Sequence, residues 1–379
     1  MKLRQLSLIL TVLTLALVIG TPVAAADMNW GGSLETGPEF TDGNGAIIYD
    51  NDFRLKMNLS SGESLAGTLQ LRYQAALPVS AGPAGAADLT VNQAYLDLKM
   101  PAAAMLRIGR QKISWGSGMA WNPTNYLGAD KNRTDLSNEF PGVDVLDLEK
   151  GFGEAQFTVL IKPQGAPEDW GKAAKFATRL GRQDLTFSLY QQGTANGFGI
   201  DWAASIGSFT VYAEVAARTD ADRYYIGASG GQGVPLTRSD AARFIHGVAG
   251  LNRIFPGDWM MQLEYYYNQA GWDPAEAANY YRYQGPAAFQ AASYCGDLRR
   301  NYLYALVRKG ELVDDLAATV TVLANWDDGS AMLMPGLEYR LGENTVANLT
   351  LTWFTGSPQS EFGALPDRLQ IAVKFTVSF

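Results

Sequence analysis

The last eleven residues, LQIAVKFTVSF, alternate without a break. Leu369, Ile371, Val373, Phe375, Val377 and Phe379 fall on one face, and Gln370, Ala372, Lys374, Thr376 and Ser378 on the other. Successive strand side chains point to opposite sides, so this is a strand with one apolar face and one small or polar face. The pattern recurs upstream. Leu65, Leu69, Leu71 and Tyr73 oppose Thr68, Gln70, Arg72 and Gln74, and Trp259, Met261, Leu263, Tyr265 and Tyr267 oppose Gln262, Glu264 and Asn268. About 18 such segments run between residues 27 and 379, or about 16 if two short ones are discounted. No linker or compositional break divides them, which predicts a single all-β domain over 27–379.

The connections differ by side. Ser61-Gly62-Glu63, Gly207-Ser208, Pro256-Gly257 and Gly342-Glu343-Asn344 are tight, whereas 117–141, 220–242 and 272–298 are long. Short turns at one end and long loops at the other are the layout of a transmembrane antiparallel up-and-down β-barrel. Gly227 to Gly233, GASGGQG, lies in a long connection with no following helix or Lys, so it reads as a flexible loop and not a phosphate cradle. Phe379 at the end of an alternating strand resembles the C-terminal insertion signal of bacterial outer-membrane barrels. That resemblance implies handling by a barrel-assembly machinery and a surround of outer-membrane lipid.

The N-terminus agrees. Lys2 and Arg4, the apolar run Leu6 to Ile19 and the small residues Val23-Ala24-Ala25-Ala26 make residues 1–26 a secretory signal peptide. Removing it leaves 28 basic residues against 38 acidic, a mature net charge of −10. That balance excludes non-specific nucleic-acid binding. One His and one Cys exclude most zinc sites, disulfide frameworks and Cys-His chemistry. His246 stands in a strand without a nucleophile motif, and Asp42, Asp273, Glu276 and Asp297 match no Ca²⁺ loop spacing. The expectation is a non-enzyme with no cofactor and no metal.

A barrel of this size is too wide for its own side chains to fill, so the face opposite the apolar one lines a pore. On that face lie Arg54, Lys56, Arg72, Lys99, Arg107, Lys175 and Arg179, with Lys374 on the last strand and Asp97, Asp147 and Glu149 as acidic neighbours. The other wall is mixed: Asp201, Glu214, Glu264 and Glu338 with Arg218, Arg308 and Arg340. Arg110 and Lys112 break parity, and a bulge at Gly109 returns them to the lumen. Lipid excludes charge, so inward charge alone is unremarkable. Its basic excess on one wall predicts a channel for small hydrophilic solutes with a preference for anions.

Two resemblances sharpen this reading. The segment 117–141 occupies the place of the third extracellular loop, which folds inward in general porins. The likeness implies a constriction carrying Asp130, Lys131, Arg133, Asp135 and Glu139, with a loop that only covers the mouth as the alternative. Gly109-Arg110-Gln111, Trp115-Gly116, Gly118, Asn122-Pro123-Thr124 and Gly142-Val143-Asp144 resemble a segment of porin-like outer-membrane families, including alginate-export-type barrels and related uncharacterised ones. That implies a porin-like channel, often a homotrimer. The alternatives are a polysaccharide or organic-acid exporter on the same barrel, or a loop-based adhesin or structural barrel.

Overall fold

The computed structural model describes residues 26–379 apart from 44, 63, 80–85, 130, 132–140, 220–222, 230–231, 239–242 and 284–296. Its strands are β1 (Ala26–Thr41), β2 (Ile47–Ser61), β3 (Leu65–Pro78), β4 (Ala86–Met100), β5 (Ala104–Gln111), β6 (Val143–Phe152), β7 (Ala155–Lys162), β8 (Gly171–Leu180), β9 (Gln183–Gln192) and β10 (Ala195–Ile206). They continue as β11 (Phe209–Thr219), β12 (Arg223–Ser229), β13 (Gln232–Arg238), β14 (Phe244–Phe255), β15 (Trp259–Asn268), β16 (Asn301–Val313), β17 (Leu316–Asn325), β18 (Ser330–Arg340), β19 (Thr345–Thr355) and β20 (Leu369–Ser378). Among the described residues an α-helix, α1 (Pro274–Arg282), follows β15.

Eighteen strands form one antiparallel sheet, each hydrogen-bonded to its neighbours, while β12 and β13 form a separate hairpin. The sheet closes because β1 pairs with β20 as well as with β2, at Glu35↔Thr376 and Phe40↔Ile371 among others. Closure leaves no edge of unpaired N–H and C=O groups, the condition for a sheet to cross a bilayer. The terminal residue completes the seam. Phe379 donates its N–H to the Gly32 carbonyl at 3.0 Å and accepts from the Gly32 N–H at 2.9 Å. Its ring stacks on Phe53 at 6.1 Å and tilts against Trp30 at 6.2 Å.

The apolar faces point outward. Trp30, Phe53, Trp259, Leu263, Tyr265, Trp326 and Trp353 are exposed on the outside of the cylinder, and Trp326 retains 70% of its surface. A ring of exposed apolar side chains around a closed sheet is a lipid-facing belt, and aromatic residues at strand ends suit its interfaces.

Four details depart from expectation. β5 ends at Gln111, where the chain leaves the wall, so Lys112 stands on no barrel strand. The bulge lies on β4, where Asn92 is the extra residue between the pairs Gln70↔Gln93 and Leu71↔Val91. No shift occurs at Gly109: both registers run through Tyr95↔Gly109↔Val145 and Ala94↔Arg110↔Asp144. By register Arg110 therefore shares the face of Leu106 and Ile108. Gly109 has φ 125°, and a Cβ there would meet the Ala94 carbonyl, so the glycine permits close strand approach without switching parity. The stretch around Gly227 to Gly233 is the β12–β13 hairpin, not an open loop. Lastly, the long connection after β15 contains α1, started by a capping box in which Asp273 accepts from Ala275 and Glu276 N–H groups while Glu276 accepts from Asp273.

Candidate functional site

The inner wall is not polar throughout. Val248, Tyr266, Tyr302, Tyr304, Leu323, Met332, Met334 and Phe354, from β14 to β19, form a buried apolar cluster on the inward parity. Such a surface cannot be left to water, and two loops cover it. Ala120 and Trp121 arrive from the loop after β5, and Phe362 from the loop between β19 and β20. The Trp121 ring stacks on Tyr266 at 4.9 Å with 11° between planes. Ile113, Trp115, Tyr126 and Leu127 of the same loop pack with Val145, Leu160, Ala173 and Tyr190 on the facing wall.

Three wall carboxylates then pin the loop across the lumen. Asp201 on β10 accepts from Ser117 Oγ at 2.6 Å. Glu214 on β11 accepts from the Gly118 N–H at 2.6 Å, Asn122 Nδ2 at 3.0 Å and Thr124 Oγ1 at 3.0 Å. Glu264 on β15 accepts from the Ala120 N–H at 2.8 Å, from the Met119 N–H and from the Tyr212 hydroxyl at 2.6 Å. A carboxylate satisfied by several N–H and O–H donors is the strong form of this interaction. Gly116, at φ 92°, lets the backbone lie against Glu214, since a Cβ there would strike the carboxylate. Lys131 closes the turn by donating Nζ to the Gly118 and Met119 carbonyls at 2.7 and 3.0 Å. Burial pulls its ammonium below the usual range, and the nearby Glu264 and Glu214 oppose that. Asp130, Arg133, Asp135 and Glu139 lie outside the described residues.

The basic residues of the lumen are mostly paired. Asp52 accepts from Arg54 Nη2 at 2.7 Å and from Arg72 Nε at 2.9 Å. Arg107 binds Asp97 at 2.8 Å and lies 4.1 Å over the Tyr95 ring. Arg110, which by register lies on the opposite face with Leu106 and Ile108, grips Asp144 with two bonds of 2.8 Å and also donates to the Val91 carbonyl. Lys374 meets Asp50 at 2.8 Å, and Arg308 meets Glu338 at 3.0 Å. Lys175 sits 5.0 Å over the Trp115 ring, beneath the crossing loop. Arg179 pairs with Asp184 at the short turn between β8 and β9. Lys112 follows the end of β5 between buried Gln111 and Ile113, while Lys56 and Lys99 are exposed. Sequence parity found these cations apart from Arg110 and Lys112, and their partners became visible only with the register.

The crossing loop leaves space beside β1 to β4 and β18 to β20. The larger recess, about 730 Å³, is lined by Glu35, Glu39, Asp50, Asp52, Arg72, Asp88 and Lys374 among others. A second, of about 410 Å³, lies nearer the short turns against Asn29, Arg54, Lys56, Asn58 and Gln70. The loops that cross the barrel thus leave polar space on one side of it.

Solved structures share this architecture. OccK8 (OprE) of Pseudomonas aeruginosa matches with a TM-score of 0.57 at 8% identity, over 93% of this chain and 98% of that one. The outer membrane protein opdK of the same organism matches at 0.56 and 11% identity, over 93% and 99%. OccAB1 of Acinetobacter baumannii matches at 0.55 and 7% identity, over 93% and 96%. The chain has an outer-membrane porin fold. No protein-family pattern and no curated protein matches its sequence. At these identities the likeness is one of fold, and the crossing loop of this porin fold is held by its own Asp201, Glu214 and Glu264.

One consequence concerns Trp121. Truncating a buried Trp removes about 3–5 kcal/mol of packing, so Trp121→Ala loosens the loop within an intact barrel. Trypsin cleavage at Lys131 is expected to quicken by roughly ten-fold or more, while heat-modifiable gel migration of the barrel persists. An unchanged cleavage rate would mean that the carboxylates alone hold the loop.

Proposed function

We propose that the protein is an outer-membrane channel for passive diffusion of small hydrophilic solutes, exported by way of residues 1–26. The observation that carries this reading is the pair of polar recesses left beside the crossing loop, inside a closed barrel with a lipid-facing belt; together they would make the passage. Arg54, Lys56, Arg72 and Lys374 line that passage, and the loop from Lys112 to Lys131 sets its width. The chemistry is charge and size selection, with no covalent step.

Pairing of Arg54 and Arg72 with Asp52, Arg107 with Asp97, and Lys374 with Asp50 interrupts a continuous basic track. That weighs against a polyanion exporter and against a simple preference for anions. A second reading, a barrel shut by its own loops whose activity lies on the outside, is favoured by the number of bonds holding the crossing loop.

Single-channel recording in a planar bilayer separates the two. A steady open current from the folded protein supports the channel, and a silent barrel overturns it in favour of the second reading.

A further inference from the structure

The two recesses carry opposite charge in series. The larger one is lined by six carboxylates, Glu35, Glu39, Asp50, Asp52, Asp88 and Glu338, against Arg72 and Lys374. The smaller one is lined by Arg54 and Lys56 with the neutral Asn29, Asn58 and Gln70, and no carboxylate. Their order along the axis follows from β2, which descends from Asp50 through Asp52, Arg54 and Lys56 toward the short turn at Gly62. At about 3.3 Å per residue this is roughly 20 Å of strand. Asp52, accepting from both Arg54 and Arg72, stands at the junction.

Resting on the channel reading, we infer that the passage is a bipolar one, acidic toward the long loops and basic toward the short turns, and that it rectifies ion current. Low-dielectric walls focus the field of lining charges into a narrow polar space. A cation is drawn into the first recess and repelled by the second, and an anion meets the reverse. Ions of a single sign therefore face one unfavourable stretch whichever way they travel. A small zwitterion does not: its cationic end suits the acidic recess while its anionic end suits the basic one.

The sense of rectification follows. With the loop side positive, cations enter through the acidic recess and anions through the basic one, so both accumulate at the junction. With the loop side negative, both are drained from it. At 0.1 M salt, where the Debye length is about 10 Å, the first current is expected to exceed the second by roughly two-fold; at 1 M, where it is about 3 Å, the ratio falls toward one.

Oriented insertion of the folded protein into a planar bilayer tests this in KCl. Arg54→Gln with Lys56→Gln abolishes the asymmetry and moves the reversal potential in a salt gradient toward cation selectivity. Glu39→Gln with Asp88→Asn halves the excess of carboxylates over cations in the larger recess, so it weakens the asymmetry and moves the potential the other way. Glycine at 0.1 M KCl interrupts the open current more often than acetate or methylammonium. A conducting channel whose current is symmetric, or larger in the opposite sense, overturns the inference and leaves the channel reading standing. Equal or fewer interruptions by glycine overturn the solute preference, and a silent barrel overturns the channel reading itself. Heat-modifiable migration of each variant verifies that its barrel has formed.

Discussion

Replacing Glu214 and Glu264 together by alanine is expected to raise the single-channel conductance several-fold and to make it noisy. Glu214 holds Gly118, Asn122 and Thr124, and Glu264 holds Met119 and Ala120. Hydrogen bonds to a charged group contribute about 1.5–3 kcal/mol each, and a buried N–H left without a partner costs about 1–3 kcal/mol. Losing both carboxylates therefore shifts the docked-to-undocked ratio of the loop by roughly two orders of magnitude or more. Glu214→Gln alone keeps one acceptor oxygen and should have a much smaller effect. If the double variant conducts like the parent, the Trp121 stack on Tyr266 is sufficient to hold the loop, and the carboxylates serve only to satisfy its backbone.

These carboxylates also mark where sequence reasoning stopped. Alternation located all the barrel strands, because lipid outside and water inside impose opposite polarity on successive residues over most of their length. It also placed Asp201, Glu214 and Glu264 on the inner face. Their role was hidden because their partners are mainly backbone N–H groups of a distant loop, which no side-chain pattern announces. The loop's landing surface did leave a trace. In Tyr302-Leu303-Tyr304-Ala305-Leu306 and Val322-Leu323-Ala324 the alternation fails because both faces are apolar. One face meets lipid, and the other is covered by Trp121 and Phe362.

The charge pattern was legible as a census and not as an arrangement. Arg54 and Asp52 are two residues apart on one face, and Arg72 lies directly across from Arg54. With the register known, the three form one cluster; without it, they count as a basic excess. Arg110 shows the opposite hazard. A glycine before a parity break suggested a bulge, yet Gly109 adopts a left-handed φ and the register continues, so Arg110 meets Asp144 on the other face. The fold tolerates this because the Arg–Asp pair is bidentate, which neutralises both charges locally.

The loop between β19 and β20 supplies a pH-dependent counterpart to the first prediction. Glu361, in that loop, accepts from the Tyr302 hydroxyl at 2.7 Å and from Asn325 Nδ2 at 2.7 Å, while its own N–H donates to Asp328 at 2.9 Å. Burial pushes its carboxyl up to about 7, with Asp297 and Asp328 adding to the rise and the bonds from Tyr302 and Asn325 opposing it. An acid whose pKa is higher docked than undocked favours docking when protonated. Docking is therefore firmest below about pH 4.5, weakens as the pH climbs, and reaches its minimum once the pH has passed about 7. The change over that window is about 3 kcal/mol at most. Because Phe362 beside it covers the inner apolar wall, release of this loop opens the mouth. Conductance is expected to rise between pH 5 and pH 8, on the order of a few-fold. Glu361→Gln removes the titrating carboxyl of this loop, so the loop's share of the pH dependence should vanish and the rise in conductance between pH 5 and pH 8 should shrink. A parent channel insensitive to pH over that range would mean that the loop stays docked with Glu361 ionised, its charge held by Tyr302 and Asn325.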